Sequence, residues 1–155
     1  MSVDGDTVVI GAWTADLDRL PDAGAAYVFN RSGTSWAQQA KLSSDDKADY
    51  DYFGYSVSVD GETTVIGAYS ADPNGLQDAG AAYVFTRIGT SWTQQARLTA
   101  DSKAAYDCFG WSVSVDGDTA VIGAFAGGHP AWGVLIAERR TCSPAQARPG
   151  PSRPS

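Results

Sequence analysis

Two stretches of the chain place oxygen-bearing side chains at matching intervals. Asp16, Asp18 and Asp22 stand at i, i+2 and i+6, and Asp72, Asn74 and Asp78 repeat the spacing. Calcium takes roughly six to eight oxygen ligands, so such loops could hold it. Leu20-Pro21 and Leu76-Gln77 interrupt the two sets, however, and no bidentate glutamate closes either. Asp and Asn also serve turns, by bonding their own backbone and tolerating left-handed geometry. We favour the turn reading and keep calcium as the one candidate ligand; no cofactor is assigned.

Other reactive groups are sparse. Asp45, Asp46, Asp49 and Asp51 crowd one link, and Asp101 and Asp107 lie in the equivalent link further on. General acid–base work needs burial to tune a carboxyl, and a mobile link is not expected to supply it. His129 is the single histidine, and neither G-x-S-x-G nor H-E-x-x-H occurs. Cys108 and Cys142 occupy non-matching positions, so a disulfide stapling each repeat is not expected. No residue is assigned a catalytic, cofactor-binding or metal-ligating role. Trp13, Tyr69 and Phe125 are different, because all three follow a Gly-Ala pair. An exposed row of rings could bind sugar or protein. Capping the core of each blade is the plainer role, and we favour it. Trp36 and Trp92 are read as packing between sheets.

What positions these residues is a repeat. Gly5, Gly61 and Gly117 are spaced by 56 residues, and residues 2–57 match 58–113 at 38 of 56 positions without a gap. A third copy holds register over 114–124. A fixed period of this order marks a repeat architecture. One unit reads as four short strands: Ser56–Val59, Thr63–Ala68, Ala81–Phe85 and Trp92–Leu98. Asp60-Gly61 predicts a two-residue type I′ hairpin, and Gly89 a longer hairpin with a left-handed glycine. In the fourth strand Trp92, Gln94, Ala96 and Leu98 share one face. Apolar inner strands and a wetter outer strand suit an antiparallel propeller blade, and helix is expected to be nearly absent.

Phe53-Gly54 before the first strand and Gly67-Ala68 after the second resemble the FG-GAP repeat, the blade of integrin-type β-propellers. Phe109-Gly110 and Gly123-Ala124 repeat the pattern, and Gly11-Ala12 supplies its second half in the first copy. The resemblance covers residues 1–124 and implies an all-β fold of four-stranded antiparallel blades: two full blades, a partial third, and an incomplete propeller. Adjacent sheets are expected near 25–68 and 81–124, or cut nearby. The family's proline after Gly-Ala is replaced by an aromatic, and its Asp-rich calcium loop by a tight Asp-Gly hairpin. The resemblance further implies a non-enzymatic interaction or adhesion module, extracellular or on the cell surface. The alternatives are a fragment of a propeller hydrolase or lyase, and a truncated product with no independent function.

Residues 1–124 carry 17 acidic and 7 basic side chains, and residues 125–155 one acidic and four basic. An acidic propeller does not suit nucleic acid or an anionic membrane. No run nears the roughly 18 apolar residues of a membrane span. No signal peptide is visible, and Met1 falls within a blade, so further sequence is expected upstream. The expected partners are protein or carbohydrate, further blades of a parent chain, or a second copy, because open sheet faces invite association.

Residues 125–155 break the pattern, with five of the seven prolines and no G-A-A-Y-V-F. Degenerate codons read out of frame permit D-S-G-A-A-Y-V-F-T-R-S-G-T-S-W-T-Q there, close to the D-A-G-A-A-Y-V-F-T-R-I-G-T-S-W-T-Q of residues 78–94. We read the chain from about Phe125 to Ile136 onward as a frameshift product. Val134 to Ile136 is expected at most to pair against Ala120 to Ile122, and 141–155 to be irregular and poorly ordered.

Overall fold

The structure, a computed structural model, describes residues 1–125 and 134–138. Among them no α-helix occurs, and eleven strands form three antiparallel sheets. The first blade is β1 (Ser2–Asp4), β2 (Thr7–Ala12), β3 (Ala25–Ser32) and β4 (Ser35–Leu42). The second is β5 (Ser56–Asp60), β6 (Thr63–Ala68), β7 (Ala81–Ile88) and β8 (Ser91–Leu98). Each is hydrogen-bonded in chain order. The third has β9 (Phe109–Asp116), β10 (Thr119–Ala124) and β11 (Val134–Glu138), with β10 in the middle. The blades are therefore cut at 2–42 and 56–98, not at 25–68 and 81–124. The tight hairpins between β1 and β2 and between β3 and β4 keep those strands in one sheet, while the long link 43–55 carries the chain to the next.

The hairpins sit one residue from the sequence expectation. Asp60 pairs with Thr63 and stays in its strand, so the loop is Gly61-Glu62. Gly61 has φ +53 and Glu62 is not left-handed, which excludes type I′ and fits a turn with glycine at its first central position. At the other end β7 runs to Ile88, and the loop to β8 is the two residues Gly89-Thr90. The ladder shifts between Val84 and Phe85, leaving Gln95 as the extra residue of a bulge in β8. The bulge overturns the expected single face: Trp92 and Gln94 sit opposite Arg87 and Phe85 on the side toward blade one, while Ala96 and Leu98 sit opposite Val84 and Ala82 on the side toward blade three.

Apolar residues fill the space between blades. Val9, Ala26, Val28 and Leu42 of blade one meet Val59, Ile66, Tyr83 and Phe85 of blade two, with Phe53 completely buried among them. Val65 and Ala82 on the other side of blade two meet Phe109, Ala120 and Ile122 of blade three. Each large buried side chain contributes about 1.5–3 kcal/mol, so these contacts are what holds one sheet to the next.

β11 takes the place that β7 holds in blade two. Val134–Glu138 pairs antiparallel with β10, placing Val121 opposite Ile136 and Ile122 opposite Leu135. The expected pairing of Val134 to Ile136 is present and extends through Glu138. His129, Cys142 and the expectation for 141–155 lie outside the described residues.

Candidate functional site

The Phe-Gly pair builds the junction between blades. Phe53 donates its amide to Ala23 O at 3.0 Å, and Gly54 donates to Gly67 O at 3.0 Å. Gly54 has φ +93, and Gly110 repeats that value. A side chain on Gly11 would overlap the Gly54 carbonyl, and one on Gly67 the Gly110 carbonyl. Blade-to-blade contact here is backbone on backbone, which only glycine allows. Each Phe-Gly therefore closes against the Gly-Ala of the blade before it. Its phenylalanine is pulled inward, and the residues on either side are left at the surface.

Those flanking residues make a strip of touching rings. Trp13 meets Tyr52 at 5.4 Å and Tyr55 at 5.8 Å between centroids. Tyr69 stacks on Tyr52 at 5.4 Å and meets Tyr55 edge-on at 4.5 Å. Trp111 touches Tyr55 at 4.9 Å and Tyr69 at 5.0 Å, and Phe125 stacks on Trp111 at 5.1 Å. The strip crosses all three blades. Trp13, Trp111 and Phe125 are exposed, and Tyr52, Tyr55 and Tyr69 half-buried. Burial, with Tyr52 and Tyr55 alongside, raises the Tyr69 hydroxyl above its ordinary value, so it stays neutral. Trp13, Tyr69 and Phe125 are thus brought together with three rings that sequence reasoning passed over. The available signal was the aromatic beside Phe-Gly, at Tyr52, Tyr55 and Trp111. The arrangement offers an amphipathic, largely rigid surface with hydroxyls at its centre, the kind of surface enriched at interfaces.

Trp92 packs as expected. Its indole N–H donates to Gln39 Oε1 of blade one at 2.8 Å, and Arg87 lies over its ring. Trp36, at the same position in blade one, remains exposed with Arg31 over it.

The loop acids brace their own loops. Asp16 Oδ1 accepts the Asp22 amide at 3.0 Å, and Asp72 Oδ1 accepts the Asp78 amide at 2.7 Å. Asp18, Asp22, Asn74 and Asp78 all have left-handed φ. Leu17 and Leu20 pair across Asp18-Arg19, and Asp18 forms an ion pair with Lys47 at 3.4 Å. These residues do the turn chemistry. Among the described residues no group of three acidic, histidine or cysteine side chains converges as a metal site would require.

The link 43–55 is more ordered than its composition suggests. Asp45 N–H donates to Gln94 at 3.1 Å, and Asp46 pairs with Arg97. The Tyr83 hydroxyl, buried and bonded to Asp46, is pushed far above its ordinary value. Asp51 is buried and accepts the Ala48 amide at 2.7 Å. Its carboxyl is raised to about 6, first by burial, with Asp46 and Asp72 adding to the effect while the Ala48 amide and Arg97 oppose it. The expectation that link acids lack burial therefore fails at Asp51. Its hydrogen-bond partner, the Ala48 amide, belongs to the link itself, so the carboxyl serves the fold of that link. Cys108 is a free thiol, raised by burial and then by Asp78 and Asp107, so it is held protonated.

A family model described as the FG-GAP repeat matches residues 1–29, 36–85 and 92–132. A search of curated proteins finds no match.

Proposed function

This chain belongs to the FG-GAP repeat family, and from that premise we propose that it is a non-enzymatic β-propeller module that binds protein through its aromatic strip. The strip is the observation that carries this reading. It is continuous from Trp13 to Phe125, spans three blades, and keeps its outer rings exposed. Rigid rings give contact area at little entropic cost, and the Tyr hydroxyls can satisfy polar groups that meet them. Members of such a family typically act outside the cell or at its surface, and we place this module there. No helix among the described residues is long and apolar enough to cross a membrane.

The test is a binding panel of immobilised extracellular glycoproteins, each presented before and after enzymatic glycan removal. The wild-type chain is compared with W13A/W111A, which removes two exposed rings without touching the buried Phe53. Binding that survives glycan removal and falls by roughly tenfold or more in the variant supports protein recognition by the strip. Binding lost with the glycans makes it a carbohydrate reader instead. Binding equal in wild type and variant overturns the site.

A further inference from the structure

We propose that copies of this chain pack head to tail, the outer face of blade one in one copy seating on the outer face of blade three in the next. The contact repeats the polar links of the two interfaces inside the chain, and it uses the sides of the blades, not the aromatic strip.

The polar links between blades recur with the sequence period. Ser2 Oγ accepts the Val59 amide at 3.1 Å, and one repeat later Ser58 Oγ accepts the Val115 amide at 3.1 Å. Asp4 accepts the Gly61 amide at 2.8 Å, and Asp60 accepts that of Gly117 at 2.6 Å. Advancing once more reaches Ser114 and Asp116, exposed on the open side of blade three. The donors that match them are the amides of Val3 and Gly5, on the open side of blade one. A third link is ionic at one end. Arg87 reaches back to Thr7 Oγ1 at 3.2 Å. Its equivalent in blade one is Arg31, and the equivalent of Thr7 in blade three is Thr119. All three pairs thus have one member on each open face.

The apolar surfaces match in the same way. Val59 is 6% exposed and Ile66 is fully buried where blade one covers them, while their equivalents Val3 and Ile10 are 66% and 38% exposed. Met1, Val3, Val8, Arg31 and Trp36 line an open groove of about 430 Å³ on that face. On the other side Val9 and Val65 are fully buried by the following blade, and Val121 in blade three is only half-buried. The open face of blade three carries the Ser114, Asp116, Thr119 and Val121 that match the open face of blade one in register, so the occupant that fits is another copy. Such a contact is heterologous, so it builds rings or open chains instead of symmetric pairs.

The experiment is sedimentation velocity on the whole chain across a concentration series, with two single variants. Val3→Asp spoils only the blade-one face, and Asp116→Lys only the blade-three face. Both positions are exposed, and circular dichroism melts check that the fold survives. Wild type is expected to associate with increasing concentration. Each variant alone is expected to weaken association by roughly tenfold or more. Mixed one to one, the variants retain one intact junction between them, so they are expected to form a two-chain species and nothing larger. A wild-type monomer at every concentration overturns the proposal. So does association that either variant leaves intact, or a mixture no more associated than its components.

Discussion

At the scale of single residues, two side chains test how the blades are joined. Phe53 is fully buried between blades and makes aromatic contacts with Tyr83 and Phe85. Phe53→Ala removes that ring and leaves a cavity, so a loss of about 3–5 kcal/mol is expected in chemical denaturation. Gly67→Ala is the sharper probe, because its methyl would overlap the Gly110 carbonyl of the next blade as well as Ser56 Oγ, and the backbone cannot move aside as a side chain can. It is expected to cost at least as much as a typical overpacking substitution, about 1–3 kcal/mol, and to loosen blade three from blade two in amide exchange. Asp51 gives a pH signature. Its carboxyl is raised in the fold from 3.8 to about 6, so the native state binds this proton more tightly than the unfolded chain does. The stability it contributes is complete below about pH 4 and is lost as pH rises through 6. Asp51→Asn keeps an acceptor for the Ala48 amide and removes the charge. The variant is expected to match wild type near pH 4 and to exceed it at pH 8 by on the order of 1–2 kcal/mol, after allowance for partial hydration. Equal pH dependence in the two proteins would show that Asp51 is not desolvated. Glu62 works in the opposite sense, its carboxyl lowered by the Arg87 hydrogen bond, which is why the comparison must be with the variant and not with pH alone.

At the scale of elements, the strands were legible because alternation and β-branched residues mark them locally. Thr63–Ala68 and Trp92–Leu98 are where the pattern puts them. The hairpins were misread by one residue because Asp60-Gly61 looks like a turn dipeptide in its own right. The Asp60 carboxylate in fact caps the Gly117 amide of the following blade, so its chemistry belongs to another element. Asp60→Ala is expected to leave the β5–β6 hairpin intact and to increase amide exchange at Gly117, with a stability loss of about 1 kcal/mol. The aromatic strip was half-legible for a similar reason. Trp13, Tyr69 and Phe125 share a repeat position, but the strip is continuous because Tyr55 also touches Trp13, and Trp111 also touches Tyr69, across a blade boundary. No periodicity within one repeat reports a contact between two. The folded link was illegible, since the burial of Asp51 depends on the tyrosine and arginine that blade two offers to the link.

At the scale of the whole molecule, the sheets stand side by side without closing a ring, and each open side has a defined character. β11 matters here because it covers one edge of β10. Val134–Glu138 supplies a full ladder to Thr119–Gly123, although its sequence has none of the G-A-A-Y-V-F of the equivalent strand. Backbone pairing asks little of side-chain identity, so a short apolar run such as Val134-Leu135-Ile136 can meet the edge that β10 would otherwise leave unpaired. Truncation after Phe125 removes that cover. The β10 edge would then present unpaired amides and carbonyls beside apolar Val121, a template for non-native strand addition. Blades one and two share their own core, centred on Phe53, and that core contains no residue beyond Phe85 among its fully buried members. The truncated chain is therefore expected to keep amide protection in β2, β3, β6 and β7. It is also expected to aggregate at lower concentration and to lose protection in β10. Unchanged protection in β10 would mean that β11 does not shield the edge. Loss of protection in β2 and β3 would mean that the blades do not fold as separable neighbours, and that cooperativity runs through the whole stack.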